Sequence, residues 1–152
     1  MSGTRRFILG GKRLLRRPRW GNGTLEAALV LPVLLAFSMG MVEFGYYLYS
    51  KHQFQAASRD GARTAILSSA THTQAQTAVS NTMSAANFNS SAYTVVFTNA
   101  STAATISNIA SVAKGTAIKV TVTANYGSVG VRPLGVIPAN KQVIGITTMI
   151  KE

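Results

Sequence analysis

Few side chains in this sequence are suited to acid–base, nucleophilic or metal chemistry, and they are scattered. The acids are Glu26, Glu43, Asp60 and Glu152, the histidines are His52 and His72, and cysteine is absent. A Ser-His-Asp relay would need distant residues to converge around Asp60, and no nucleophile-elbow pattern is present. The His, Asp and Glu residues lack metal-ligand spacing. Without cysteine there is no thiolate site and no disulfide framework. No P-loop or dinucleotide fingerprint occurs, so no enzyme activity, cofactor or metal is expected. His52 reads as an interfacial or solvated residue and His72 as an exposed loop residue. The chemistry left to Glu26 and Glu43 is electrostatic. They bracket an uncharged run, Ala27 to Val42. A carboxylate moved into apolar surroundings needs a cation or must take up a proton. Glu26 and Glu43 lie towards opposite ends of the apolar segment, so both are expected to reach water. Glu26 fits either a helix start favoured by the macrodipole or an ion pair with a partner chain.

The element that positions both acids is an apolar helix. Beyond Glu43 the apolar character resumes with Phe44, Tyr46, Tyr47, Leu48 and Tyr49. Leu25 to Tyr49 as a helix spans roughly 37 Å, enough to cross a hydrocarbon core of about 30 Å. The tyrosines cluster at one end, as aromatic residues do at a membrane–water boundary. At the other end lie Arg5, Arg6, Lys12, Arg13, Arg16, Arg17 and Arg19, with no acid among them. They outweigh Lys51, Arg59 and Arg63 after the segment, so the N-terminus is expected in the cytoplasm and the bulk of the chain outside. The net charge of +11 therefore describes the tail more than the folded part: from residue 20 on there are eight basic and four acidic residues. Nothing aromatic or base-reading accompanies the tail, which argues against nucleic acid as a partner. A cleaved secretory signal has the same charge order, but its apolar stretch is shorter and ends in a small-residue cleavage site absent here. Pro32 removes one backbone hydrogen bond and is expected to kink the helix.

Gly21-Asn22-Gly23-Thr24-Leu25-Glu26 follows the basic run and opens the apolar stretch. That order resembles the processing site of type IV pilin-like proteins. Gly40-Met41-Val42-Glu43-Phe44-Gly45 and Gln55-Ala56-Ala57-Ser58-Arg59-Asp60-Gly61-Ala62-Arg63 narrow the likeness. Together they resemble the TadE-like family of minor pilin or pseudopilin proteins of the bacterial tight-adherence (Tad/Flp) type IV pilus system. The likeness covers residues 21 to 67 well and the rest more loosely. It departs at Ala27, where the family often carries an aromatic residue. The resemblance implies cleavage by a prepilin peptidase between Gly21 and Asn22, leaving the helix attached. It implies that Glu26 meets the free amine of a neighbouring subunit. Independently of the resemblance, Glu43, Arg59, Asp60 and Arg63 are candidate subunit contacts, with a solvated helix face as the other reading of Arg59, Asp60 and Arg63. The implied partners are membrane lipid, the prepilin peptidase, other pilin or pseudopilin subunits and pilus assembly proteins. The implied role is pilus biogenesis, adhesion and biofilm formation from the bacterial inner membrane, or from a pilus outside the cell. Two alternatives stay open: a pseudopilin of another secretion or uptake system, and a signal-anchored envelope binding protein that keeps its tail.

The expected fold is α+β. The parts are a basic leader (1–21), a transmembrane and extended helix (22–69), and a small periplasmic or extracellular α+β domain (70–152). Phe54, Ala57, Gly61, Ala65 and Ile66 recur at helical spacing, so anchor and extension read as one rod of about 45 residues, roughly 65–70 Å long. Arg59, Asp60 and Arg63 fall close together on its surface, with Asp60 and Arg63 at salt-bridge spacing. A second helix within Ala70–Asn87 carries a thin stripe of Ala75, Ala78, Val79, Met83 and Ala86, capped by Thr71 or Thr73, and is expected to dock only marginally. Three strands are expected to follow, at Tyr93–Thr98, Ala117–Ala124 and Val143–Ile150, as an antiparallel sheet against one or two helices. Asn99–Thr116 reads as a flexible loop with a short helical turn. The connection Gly127–Asn140 is more apolar than a free loop needs, suiting it to cover the sheet or to face membrane or a partner.

Overall fold

The computed structural model describes residues 20–152, with side chains from residue 23 onward. The basic leader over residues 1–19 lies outside the described residues. The elements are α1 (Trp20–Ile66), α2 (His72–Ala85), a 3-10 turn (Ser90–Ala92), β1 (Thr94–Asn99), a second 3-10 turn (Ile109–Ser111), β2 (Ala117–Asn125), a short α3 (Tyr126–Val129) and β3 (Gln142–Ile150). The architecture is α+β. The chain divides into two units, Met1–Leu34 and Leu35–Glu152. In the described part of the first, α1 runs through Pro32 with every side chain exposed, Leu25, Leu29 and Val33 among them. Helix α1 is long and apolar enough to cross a membrane, with none of its most apolar window buried.

In the second unit three strands form one antiparallel sheet in the order β1-β2-β3. The alternation of β2 sets the two faces. Ile118, Val120, Val122 and Ala124 are buried, whereas Lys119, Thr121 and Thr123 are half-buried on the opposite face. Side chains of a strand point to alternate faces, so the pairing of Val120 with Phe97 and Thr147 places those residues on the inner side as well. Helices α1 and α2 cover that side. From α1 come Phe54, Ala57, Ala62 and Ala65, and from α2 come Ala75, Val79 and Met83, all fully buried.

Two glycines set how closely these layers meet. A Cβ on Gly145 of β3 would collide with the backbone of Phe54 and Gln55 in α1. A Cβ on Gly61 would press on the Val79 side chain of α2. The second contact corrects the expectation of marginal docking: α2 has a thin stripe, but Gly61 lets it seat fully. Helix α2 is also closed at both ends. Thr71 accepts the Gln74 amide at 3.2 Å, and the Gln74 side chain accepts the Thr71 amide at 2.9 Å, which settles the cap on Thr71. At the far end Asn87 takes φ 62°, with Asn87 N–H donating to Ser84 and Phe88 N–H to Met83, a Schellman closure.

Strand β3 is an edge, and its exposed amides and carbonyls would invite further pairing. Gln55 of α1 blocks it in the middle. Its side chain donates to the Ile146 carbonyl at 2.8 Å and accepts the Ile146 amide at 3.3 Å. The segment after β1 is more ordered than a flexible loop. Thr98 pairs with Thr105 in an isolated bridge, the Asn99 side chain accepts the Ser101 amide at 2.9 Å, and Ile109 is fully buried. His72 is likewise not an exposed loop residue. It opens α2 half-buried, its ring 4.9 Å from that of Phe97.

Candidate functional site

Gly21 and Asn22 fall in the first helical residues of α1, and their side chains lie outside the described residues. Glu26 stands exposed on α1 beside the exposed Leu25, Leu29 and Val30. A carboxylate on an apolar, uncovered helix surface is free to meet a cation brought by another chain, and in lipid it would need one.

Glu43 differs from its expected place. It does not reach water: its side chain is fully buried, and it accepts the amides of Ile137 at 2.7 Å and Leu134 at 3.2 Å. The partner is therefore the connection between α3 and β3 in the same chain, not a second subunit. Nearby, Tyr126 of α3 is also fully buried. Its hydroxyl lies 2.9 Å from the Glu43 carbonyl oxygen and 3.2 Å from that of Val131, so one proton is shared between helix and loop. Burial raises the Tyr126 phenol above the usual tyrosine value, and the Glu43 carboxylate raises it further. Arg132 Nε donates to the Ile137 carbonyl at 3.0 Å. The loop is thereby held at several points along its length, with Gly135 at φ 66° making the turn between the two amides that face Glu43.

Arg59, Asp60 and Arg63 stay on one stretch of α1. Both arginines are exposed, and Asp60 is half-buried. The bond to the Asp60 carboxylate comes from Thr82 of α2, at 2.8 Å, rather than from Arg63. Asp60 thus ties the two helices together, whereas Arg59 and Arg63 leave a positive surface. His52 is exposed.

Sequence reasoning missed Lys151. It is 4% exposed, and its ammonium donates to the carbonyls of Leu67 at 2.8 Å and Ala65 at 3.3 Å, closing the C-terminal end of α1. Nothing in local spacing signals this contact. Among the described residues no three His, Asp or Glu side chains gather where they could hold a metal ion.

The family model for TadE-like proteins matches residues 21–63, which is α1 from Gly21 to Arg63. That span contains Glu26, Glu43, Arg59, Asp60 and Arg63 and leaves the sheet outside it. No curated protein and no solved structure matches the chain significantly. The apolar helix with its exposed Glu26 and the match along that helix agree: residues 21–63 form a TadE-like segment, similar to proteins of the Tad pilus system, on a helix long and apolar enough to anchor the chain in a membrane.

Proposed function

We propose that this chain is a minor pilin-like subunit of the tight-adherence pilus or of its assembly machinery. In this reading it is held in the inner membrane with its N-terminus cytoplasmic and its sheet domain periplasmic. A prepilin peptidase removes residues 1–21, and the helix beginning at Asn22 remains in the bilayer. The new amine on one subunit then meets Glu26 on the next. Each group offsets the desolvation of the other, and the pair sets an axial register between helices. Arg59 and Arg63 supply a second, polar contact above the membrane. Through assembly the chain contributes to pilus biogenesis, adhesion and biofilm formation.

The observation that carries this reading is the position of Glu26. It is exposed on an apolar helix surface within the TadE-like match, five residues after Gly21. The test is the mass of the mature chain from cells with an active peptidase. A chain starting at Asn22 is the expected result, and an intact basic tail would favour a simple anchored binding protein.

A further inference from the structure

The loop that Glu43 holds lies beside the apolar part of α1. Leu134 and Val136 line one groove with Phe37, Met41 and Phe44 of that helix. All five are exposed, Val136 at 68% and Phe37 at 64%. When α1 crosses a bilayer, hydrocarbon must cover Phe37, Met41 and Phe44. A loop in the same groove then sits at the same depth. We infer that the Val131–Ile137 loop is seated in the outer margin of the bilayer, so that the domain rests in the lipid and does not hang above it.

Two features besides continuity with the helix fit lipid as the occupant. Exposed irregular backbone is excluded from the hydrocarbon interior, so the loop fits the margin of the bilayer, where headgroups and water reach it, and part of its backbone is satisfied within the protein. Here the Leu134 and Ile137 amides go to Glu43, the Ile137 carbonyl accepts Arg132 and the Val131 carbonyl accepts Tyr126, while Pro133 and Pro138 have no amide to satisfy. The surrounding charge is also of one sign. Arg132 is exposed in the loop, and exposed Lys51 and Lys141 share a groove with Tyr47, about one turn past Phe44. Cations and tyrosines at that level match phospholipid headgroups, and the acid that would oppose them, Glu43, is buried.

The 152-residue chain has no cysteine, so single labels can be placed freely. Leu134→Cys, Val136→Cys, Phe37→Cys and Ala113→Cys, each carrying an environment-sensitive fluorophore, are compared in phosphatidylethanolamine–phosphatidylglycerol vesicles. Circular dichroism checks that each variant keeps its fold. Labels at positions 134 and 136 are expected to emit blue-shifted and to lose intensity to quenchers on the acyl chains, as the label at 37 does. The label at Ala113, an exposed residue at the other end of the domain, is expected to do neither. Positions 134 and 136 behaving like 113 while 37 is quenched would overturn the inference and leave the membrane-crossing helix standing. A blue shift without lipid quenching would also overturn it, since a protein would then cover the loop. No quenching at 37 would remove the premise that α1 crosses the bilayer, and the inference with it. None of these outcomes depends on whether the chain enters a pilus.

Discussion

At the scale of single residues, the two carboxylates of α1 have opposite fates. Glu26 is exposed among leucines, and Glu43 is buried and accepts two loop amides. Hydrogen bonds to a charged group contribute about 1.5–3 kcal/mol each, and removing the acceptor leaves the donors unpaired. Glu43→Ala should therefore cost about 3 kcal/mol and free the loop. Hydrogen exchange reads this directly: the amides of Leu134 and Ile137 should lose protection while those of β2 keep most of theirs. Unchanged protection would mean that the carboxylate does not hold the loop. Glu26→Ala should behave differently, leaving stability and membrane insertion intact but impairing incorporation into pili. Normal incorporation, measured by probing purified pili for the chain, would remove Glu26 from the assembly contact. Lys151 belongs with Glu43 as a buried charge paired to backbone. Lys151→Met removes the bonds to the Ala65 and Leu67 carbonyls at the end of α1 and should lower stability by about 2 kcal/mol, seen as a lower urea midpoint with an unchanged slope.

Between elements, the contacts that matter are close approaches, and these differ in what can yield. At Gly145 the obstacle to a Cβ is the backbone of α1, and at Gly61 it is one methyl of Val79. Backbone cannot move without separating sheet from helix, whereas a valine side chain can shift. Gly145→Ala should therefore cost more than about 3 kcal/mol and Gly61→Ala about 1–2 kcal/mol. Denaturant unfolding of the two variants side by side checks the order, and equal losses would contradict the packing described. This contrast also marks what was readable beforehand. The alternation in β2 showed its two faces, and the helical spacing of Phe54, Ala57, Gly61 and Ala65 showed the buried face of α1, because each pattern is local. The full docking of α2 was not readable, since its stripe of small residues is convincing only beside a glycine on another helix. The Glu43 contact was present in two halves: a lone acid late in an apolar helix, and a loop too apolar for its length. Their partners are more than ninety residues apart in sequence, and no local period connects them. A separation of 84 to 86 residues hid the Lys151 contacts in the same way.

For the molecule as a whole, helix, short helix and loop meet at one hydroxyl. Tyr126 is fully buried against α1, its ring edge-on to Tyr47 at 5.3 Å, and its proton bridges the carbonyls of Glu43 and Val131. Ionising it would place a negative charge beside two carbonyl oxygens and near the Glu43 carboxylate, with no donor to replace the lost proton. The phenol is accordingly raised, first by burial and then by Glu43, and burial raises Tyr93 as well. The folded chain thus binds these protons more tightly than the unfolded chain does. The corresponding stability is fully present below the ordinary tyrosine value of about 10 and is lost as pH rises through the higher folded value. Tyr126→Phe keeps the ring and removes the proton, so it should be less stable than the parent near neutrality by about 1 kcal/mol. In alkaline solution the gap should narrow, because only the parent must ionise this group to follow the pH. Melting of both proteins in detergent micelles from neutral to strongly alkaline pH measures the gap directly. A constant difference across that range would mean that the Tyr126 proton does not join these three parts of the fold.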